Sequence, residues 1–420
     1  MPTSPRVSDG GSDGGPGAVS AVVGQSVPAI TANLLWMASD MLNLAYLGHA
    51  PRSPTEAAHM VAGAGLAMSV YNCCVQSCVS GVLNSFDSLV SQAWGANDKK
   101  KCVEHLMRLR VILTAVLPIF FIPLYFYAER ALLFLGQDPK VTRLAQDYLK
   151  IESLSMFANF QVTAMRKFLR NISHAWTPVS IFGITASLHV GWGYLFVIKW
   201  DMGVTGAAIA ALITHHTLLV LFLYASMRMA PDLGVTQRKL LIPDRESFRG
   251  WMQFFQTGLP AMLMLCLEWW FWEITIILSG FVSPLAQAVQ VTLMNLANTL
   301  CLTYVSIAGT VATVVGQAIG AGQPRLAKKR VMYGILFALL NWCGLALVLL
   351  WLPIVNFYTP DPKQRRDISA LMPLVVLVFA IDSIQNVLGG VCRAIGYYKG
   401  AAWIYVIAFY GIGMPAIYYF

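Results

Sequence analysis

The chain has 420 residues, of which 57% are hydrophobic and only 12% are charged, and its mean hydropathy is +0.61. Because soluble domains carry about 25% charged residues, this composition excludes a soluble globular protein and indicates an integral membrane protein. The net charge of +9 comes from basic residues scattered in short loops, a distribution that argues against a nucleic-acid-binding surface.

The chain begins with a polar stretch and continues as a series of apolar runs. Residues 1–17 are mostly Gly, Ser, Pro and Asp, so we predict a disordered cytosolic tail rather than a signal peptide. Eleven later runs are long enough for a helix that crosses a hydrocarbon core of about 30 Å, so the sequence predicts an all-α membrane protein. These runs cover residues 18–48, 58–94, 106–128, 144–168, 174–198, 203–228, 251–281, 285–315, 330–357, 368–391 and 398–420.

A polar segment divides the predicted helices into two groups. Residues 229–250 are predicted to form a cytosolic linker between a first lobe of six helices at 18–228 and a second lobe of five helices at 251–420. The last run ends at Phe420 without a polar boundary, so we expect a twelfth helix to be missing. Lys and Arg are more frequent in the loops after even-numbered helices, which predicts a cytosolic N-terminus. We expect a multi-pass protein of the plasma membrane or of a vacuolar or vesicular membrane.

The two groups of helices share a repeated motif. Gln92-Ala93-Trp94-Gly95-Ala96 returns as Gln317-Ala318-Ile319-Gly320-Ala321, and each copy ends a long apolar run. Other matches lie at similar offsets and indicate an internal duplication: Asp138-Pro139-Lys140 with Asp361-Pro362-Lys363, Arg170 with Arg393, and Pro28 with Pro260. In membrane proteins such duplication is typical of transporters whose substrate path lies between the repeats. The paired prolines are expected to weaken the first helix of each repeat.

The eight cysteines lie in apolar runs or at cytosolic helix ends, which does not indicate an extracellular disulfide framework. Cys73, Cys74 and Cys78 form the densest group. Their spacing on a helix does not bring three thiols to one metal ion, so no metal site is predicted and we expect these residues to pack as small apolar side chains.

Acidic residues inside apolar runs are the main site candidates, because a buried charge in a membrane is costly and usually faces a cavity or the protein interior. Glu268 and Glu273 lie five residues apart, about 140° around a helix, so they cannot both point in one direction. The candidates are Asp40 in helix one, Asp87 in helix two, Glu152 in helix four, Glu268 and Glu273 in helix seven, and Asp382 in helix ten.

Glu268 is the strongest candidate, because it lies near the middle of its run and is followed by Trp269, Trp270 and Trp272. A carboxylate beside indole rings suits a cation with an apolar body. When it is removed from water, the same carboxylate takes up a proton more readily and could exchange it for that cation. The alternative is that the tryptophans belong to the aromatic belt of the membrane interface and that a neighbouring helix caps Glu268.

The other acids receive different interpretations. Asp382 could supply a second proton site or could only bond a neighbouring hydroxyl group. The repeat alignment places Asp40 opposite Trp272, next to Glu273, and therefore at a similar depth in the first helix of its repeat. Structural roles are favoured for Asp87, which precedes the repeated pentad, and for Glu152, for which Lys150 is the expected partner.

Three histidines, His189, His215 and His216, also lie in apolar runs, where packing or hydrogen-bonded roles are commoner than proton relay. The sequence has no recognisable nucleotide-binding loop, catalytic triad or zinc-peptidase motif. We therefore expect no enzyme activity and no cofactor, and the energy source should be an ion gradient, with protons favoured and sodium possible.

Three segments resemble the multidrug and toxic compound extrusion (MATE) family, particularly its eukaryotic branch. Residues 86–96 resemble the family segment Ala-Leu-Asp-Thr-Leu-x-x-Gln-Ala-Tyr-Gly-Ala at the end of helix two. Residues 265–273 resemble the eukaryotic helix-seven motif, and residues 389–396 are similar to the end of helix ten, with Asp382 where relatives have Glu or Asp.

The resemblance implies twelve helices in two six-helix lobes arranged as a V, and export of organic cations in exchange for protons or, in some bacterial members, sodium. It also implies that Glu268, Glu273 and Asp382 carry cation recognition and proton coupling. Asp40 resembles a helix-one aspartate that takes part in coupling in bacterial relatives.

The main hypothesis is therefore a monomeric proton-coupled antiporter in the lipid bilayer, with Glu268, Glu273, Asp382, Asp40, Trp269 and Trp272 binding an organic cation or protons. A second hypothesis keeps the fold but changes the substrate to an organic anion or a lipid-linked molecule. A membrane-embedded enzyme and an inactive scaffold are the remaining alternatives.

Overall fold

The computed structural model describes residues 15–51, 53–351 and 362–419, and within these ranges the regular secondary structure is entirely helical. Eleven long helical segments, named α1 to α11 in chain order, account for most of it. They are α1 (Gly15–Gly48), α2 (Pro54–Tyr71, Asn72–Gln76 and Ser77–Gly95), α3 (Lys99–Phe134), α4 (Pro139–Asn171), α5 (Trp176–Gly193 and Tyr194–Lys199), α6 (Gly203–Met229), α7 (Trp251–Val282), α8 (Pro284–Gly320), α9 (Pro324–Trp351), α10 (Pro362–Ile395) and α11 (Tyr398–Tyr405, Val406–Gly413 and Met414–Tyr419). The segments Asn72–Gln76, Tyr194–Lys199 and Val406–Gly413 are π-helical.

Short polar sequences set the starts of several helices. Asp98 accepts a hydrogen bond from the backbone N–H of Lys101 at 3.0 Å, and Asp138 accepts one from the N–H of Lys140 at 2.8 Å. Ser283 accepts a hydrogen bond from the N–H of Ala286 at 3.0 Å, and Pro284 occupies the first turn of α8. Such caps satisfy N–H groups that have no partner within a helix.

Ten of the described helical segments are long and apolar enough to cross a membrane. The helix absent from this group is α4, in which the span at 144–168 was expected. It forms a 33-residue helix but carries many buried polar side chains. The end of the expected span at 330–357, most of the expected tail at 1–17, and Asp361 of the second Asp-Pro-Lys match lie outside the described residues.

The hydrophobic cores follow the duplication. Buried residues of α1 to α6 form one large cluster, which also includes Phe254 of α7. Helices α8, α9 and α10 contribute to two smaller clusters, and α7 packs on α11 in a third. Between the two groups of helices, α2 packs on α7 and α8, and α1 packs on α8 and α9. Pro28 and Pro260 both lie inside continuous helices, α1 and α7.

The repeated pentads are in direct reciprocal contact. A methyl group added at Gly95 would overlap the backbone oxygen of Gln317, and one added at Gly320 would overlap the backbone oxygen of Gln92. The amide Nε2 of Gln92 donates to the carbonyl of Ala394 at 2.7 Å, whereas Nε2 of Gln317 donates to the carbonyl of Asn171 at 2.8 Å. Each pentad thus binds the end of a helix in the opposite half, and glycine permits the close approach of the two backbones.

Candidate functional site

A polar cluster in the second half of the chain contains two of the predicted site residues. Asp382 on α10 accepts hydrogen bonds from the hydroxyl group of Tyr304 and, at 3.2 Å, from Nδ2 of Asn386. Tyr304 on α8 is fully buried, so its hydroxyl group fixes the position of the carboxylate. Asp382 therefore does bond a neighbouring hydroxyl, as one of the two sequence interpretations expected, and it also lies near another acid.

That second acid is Glu268, which is half-buried on α7. Asp382 and Arg393 are close enough for their charges to act on Glu268. Tyr405 on α11 and Cys301 on α8 also lie within electrostatic range of Glu268. Side chains from α7, α8, α10 and α11 thus contribute to the cluster. Across the described residues, the Glu268 side chain makes no hydrogen bond and no ion pair. The capping by a neighbouring helix that the alternative interpretation expected is therefore not observed.

The three tryptophans after Glu268 have different surroundings. Trp269 and Trp270 are 39% and 42% exposed. Trp272 is half-buried and contacts Phe271 edge-on, with ring centroids 5.5 Å apart, and Phe271 in turn packs on Phe409 of α11 at 4.9 Å. The aromatic residues thus provide both a packed wall against α11 and accessible indole surface near Glu268.

Glu273 lies away from this cluster, as its five-residue spacing from Glu268 predicts. It is exposed, and its charge acts on Cys73 in the π-helical part of α2. The structure therefore brings Glu268 and Asp382 together but places Glu273 near the opposite half of the protein.

Asp40 lines a separate small cavity with a volume of about 20 Å³ between α1, α5 and α6. Its polar lining also includes Asn43, His189, Thr214 and His215. In the described part of the chain, no hydrogen bond or ion pair holds the Asp40 carboxylate. The cavity has room for about one water molecule beside an acid that is free to take up a proton or a small cation.

The lining histidines connect this cavity to α4. Nδ1 of His215 lies 3.8 Å from Oε1 of Glu152. The same carboxylate oxygen accepts a hydrogen bond from the hydroxyl group of Ser155 at 3.1 Å. Lys150 instead approaches Asp147 at 4.0 Å. The expected pairing of Glu152 with Lys150 is thus wrong, because Glu152 points into the protein whereas Lys150 is half-exposed.

His189 belongs to the same network. One ring nitrogen lies 2.7 Å from the hydroxyl oxygen of Thr214, and the other lies 3.1 Å from Oδ1 of Asn43. Sequence reasoning assigned Glu152 and the histidines to structural roles and so missed their position around Asp40. One available signal was Asn159, which contacts His215 at 3.5 Å and lies 223 residues before Asp382, the offset that relates Arg170 to Arg393. That alignment indicates α4 as the counterpart of α10.

Asp87 has the structural surroundings that were expected for it. It is buried and lies 3.2 Å from Nζ of Lys167 and 3.1 Å from Nη2 of Arg170, and it accepts a hydrogen bond from Nδ2 of Asn171 at 3.0 Å. These contacts join α2 to the end of α4. With two cations and an amide around one carboxylate, Asp87 is satisfied by protein groups and is not free to bind a ligand.

A small basic crevice with a volume of about 30 Å³ adjoins this ion-pair network between α1, α4 and α5. Arg166, Lys167 and Arg170 line it. Arg166 donates a hydrogen bond to Oδ1 of Asn33 at 2.7 Å, and its guanidinium group lies 5.1 Å from the centre of the Trp36 ring. In the described structure Arg166 has no acidic partner within ion-pair distance, so the crevice carries an excess of positive charge.

Comparison with known proteins adds independent observations. A MatE family model matches residues 28–195 and 260–419. Protein DETOXIFICATION 16 of Arabidopsis thaliana is 28% identical over 396 residues, which cover 93% of this chain and 79% of the relative. Multidrug and toxin extrusion protein 1 of Oryctolagus cuniculus is 30% identical over 397 residues, which cover 92% of this chain and 67% of that relative.

Solved structures show the same fold. The crystal structure of the eukaryotic MATE transporter AtDTX14 superposes with a TM-score of 0.84 at 21% sequence identity, covering 96% of this chain and 87% of that one. The bent form of the Vibrio cholerae MATE transporter VcmN gives a TM-score of 0.81 at 16% sequence identity. The superposition covers 96% of this chain and 89% of that one. The match of the family model to both halves, together with the relatives and the shared fold, shows that the chain belongs to the MatE family and is a eukaryotic-type MATE transporter rather than an enzyme.

Proposed function

We propose that this transporter is a secondary-active antiporter that exports organic cations in exchange for protons. The observation that carries the proposal is the half-buried carboxyl group of Glu268, which lies beside Asp382 and has no hydrogen-bond or ion-pair partner among the described residues. An unpartnered charge in such surroundings is costly unless a proton or a cation neutralises it. The two ligands therefore compete for one group, which is the requirement for exchange.

The two acids have complementary roles in this proposal. Asp382 is held in place by Tyr304 and Asn386, so its carboxylate can act as a fixed charge. Glu268 is not held and can close on an incoming cation. Arg393, whose charge also acts on Glu268, limits the net negative charge when no cation is bound. Because like charges close together cannot both remain ionised easily, protons arriving at this pair would release the cation.

The aromatic residues of α7 would recognise the organic part of the substrate. Trp269 presents accessible indole surface one residue after Glu268, and Trp272 lies about one helical turn further along. Ring faces attract positive charge and bury apolar groups, so this combination favours an amphipathic organic cation over a small hydrated ion. Glu273 would attract the cation at the side of α7 that faces α2.

Asp40 would provide a second proton site in the first half. Its cavity is lined by histidine, asparagine and threonine side chains. These side chains can donate or accept hydrogen bonds whether the Asp40 carboxyl group is protonated or ionised. The presence of free carboxylates in both halves supports a mechanism in which proton binding changes the packing of each half as well as the affinity for the substrate.

The reciprocal contact of the pentads supports alternating access. With the expected cytosolic N-terminus, α2 and α8 end at the cytosolic face, where Gly95 and Gly320 bring the two halves into backbone contact. The described form would then be closed to the cytosol. Separation of this contact would open the path between the repeats from the cytosolic side.

An organic anion is the second candidate substrate. The positive charge of the basic crevice favours it, and the crevice would have to widen from about 30 Å³ to admit such a molecule. Arg166 lines that crevice without an acidic partner in the part of the chain that the structure describes, and Lys167 and Arg170 lie beside it. The crevice and the acidic cluster predict opposite charge preferences, so a comparison of cationic and anionic substrates distinguishes the two proposals.

The test is uptake of a fluorescent organic cation into inside-out vesicles that contain the protein, with a pH gradient, acidic inside, imposed across the membrane. We expect uptake that collapses when an ionophore dissipates the gradient. An equally charged organic anion provides the matched comparison. Cation uptake that does not respond to the gradient, or gradient-driven uptake of the anion alone, would contradict the proposal.

A further inference from the structure

A pair of cysteines joins the two halves of the protein away from the acidic clusters. Sγ of Cys78 on α2 lies 4.0 Å from Sγ of Cys266 on α7. The two residues are 188 positions apart in the chain and lie on opposite sides of the linker at 229–250. Both are free thiols in this structure. We propose that Cys78 and Cys266 form a redox-sensitive pair whose oxidation to a disulfide links α2 to α7 and arrests transport.

The helix packing around the pair supports disulfide formation. A methyl group added at Gly81, about one turn from Cys78, would overlap Cα of Met262, about one turn from Cys266. The two backbones therefore approach more closely than side chains usually allow. A disulfide needs such an approach, because its two Cα atoms lie about 4.4–6.8 Å apart and its sulfur atoms about 2.05 Å apart. Small rotations of the two side chains would bring the sulfur atoms together.

The two thiols differ in accessibility. Cys266 is 1% exposed, whereas Cys78 is half-buried and neighbours the π-helical segment Asn72–Gln76. The hydroxyl oxygen of Ser77 lies 3.7 Å from Sγ of Cys266 and 4.0 Å from Sγ of Cys78, so one polar group adjoins both sulfur atoms. A small oxidant would therefore reach Cys78 first, and Cys266 would act as the resolving thiol.

A hydroperoxide is the class of oxidant that this arrangement suits, with hydrogen peroxide as the simplest member. The thiolate of Cys78 attacks one peroxide oxygen, the O–O bond breaks, and the products are a sulfenic acid and one water molecule after proton transfer. The sulfur of Cys266 then attacks the sulfur of Cys78, the S–S bond forms, and a second water molecule leaves with the thiol proton. The two thiols lose two electrons and two protons in all, and the peroxide gains them.

The position of the pair explains why such a bond would arrest transport. Cys266 lies two residues before Glu268, and α2 carries the pentad that closes against α8. A covalent bond from α2 to α7 would hold the two halves at the depth of the acidic cluster. Alternating access requires the halves to move relative to each other, so the linked protein would remain in one conformation.

The test uses the full chain with a specific protease site inserted between Ile242 and Pro243 of the linker. After treatment with hydrogen peroxide, the protein is denatured, its remaining thiols are blocked, and the linker is cleaved. We expect the two fragments to stay linked on a non-reducing gel and to separate after reduction. Cys78→Ser and Cys266→Ser should each abolish the link, whereas Cys343→Ser, which removes an exposed thiol on α9, should preserve it.

Transport is measured on the same preparations. Oxidation should lower the transport rate of the otherwise unaltered protein at least about fivefold, since a linked pair of lobes cannot alternate, and reduction should restore it. The Cys78→Ser protein should keep its rate after peroxide treatment. Fragments that separate without reduction, a link that persists in Cys78→Ser, or complete linking with an unchanged transport rate would overturn the proposal. The gel result does not depend on the proposed substrate or on proton coupling.

Discussion

The two halves of this transporter contact each other through equivalent backbone segments, but their buried acidic residues lie at different positions. In the first half, Arg170 at the end of α4 pairs with the buried Asp87 on α2. In the second half, the matching arginine is Arg393 on α10, but the residue that corresponds to Asp87 at the pentad offset of 225 is Ala312. Within the described residues, Arg393 has no acid within ion-pair distance. Its charge instead acts on both Asp87 and Glu268.

The acids of the two halves also occupy different positions of the repeat. Glu268 corresponds to Trp36 at the proline offset of 232, and Asp382 corresponds to Asn159 at the arginine offset of 223. Conversely, Asp40 corresponds to Trp272. The duplication therefore preserves the scaffold and the matching arginines Arg170 and Arg393, whereas the acidic residues lie at different positions of the repeat. The two polar clusters are therefore separate chemical sites and should respond differently to substitution.

The largest effect on stability is expected at Asp87, where the charge has a structural role. Asp87→Asn would leave Lys167 and Arg170 without their buried counter-charge, and breaking a buried ion pair in this way typically costs about 3–5 kcal/mol. We expect a large loss of thermal stability, measured by a thermal unfolding assay in detergent. Asp147→Asn is the control, since its contact with Lys150 at 4.0 Å is half-exposed and such pairs contribute about 0–1 kcal/mol. Equal stability losses in the two variants would contradict a structural role for Asp87.

Glu268→Gln should give the largest loss of transport. The substitution preserves the size of the side chain but removes the charge that a cation would meet. The loss of one member of a buried charge pair costs about 2–5 kcal/mol, which corresponds to a decrease of roughly 30-fold or more in transport at low substrate concentration. Initial rates of cation uptake provide the measurement. Thermal stability should change little, because Glu268 has no protein partner in the described structure, and a rate close to that of the unaltered protein would exclude Glu268 from the site.

Asp382→Asn should have an intermediate effect on transport. The amide can retain contacts with Tyr304 and Asn386, so the cluster should stay in place while one charge is lost. We expect a decrease of about tenfold, equivalent to 1.4 kcal/mol, and a weaker dependence of uptake on the pH gradient. Tyr304→Phe is the companion variant, since it preserves the charge but removes the hydroxyl donor. If only Tyr304→Phe impaired transport, Asp382 would have a positioning role alone.

Asp40→Asn should have the smallest effect, because the first half is proposed to hold a second proton site rather than the site of cation binding. We expect a decrease of about threefold, less than 1.4 kcal/mol, in proton-driven uptake. Cation affinity, measured by equilibrium binding at constant pH, should remain unchanged. A loss of affinity as large as that of Glu268→Gln would show that both polar clusters bind the substrate and would remove the proposed distinction between the two halves.

The sequence predicts the features of the fold and of the site that depend on local pattern. Long apolar runs predict most of the helices, the repeated pentad predicts the duplication, and acids in apolar runs identify Glu268 and Asp382 as site candidates. Contacts between helices are harder to predict, because the partner of a side chain can lie on another helix, far away in the sequence. This is why Glu152 was assigned to Lys150 rather than to His215. Lys150 is only two positions from Glu152, a spacing at which two side chains on one helix do not face each other. The ion-pair network of Asp87 required α2 and α4 to be placed side by side.

In the proposed mechanism Glu268 holds either a proton or an organic cation, but not both. The most direct test is the number of protons released when a cation binds to the purified protein, obtained by calorimetry in buffers with different ionisation enthalpies. At a pH where Glu268 is protonated before binding, we expect proton release on cation binding to the unaltered protein and none from Glu268→Gln. Cation binding with no proton release at any pH, or the same release from the Glu268→Gln protein, would contradict this mechanism.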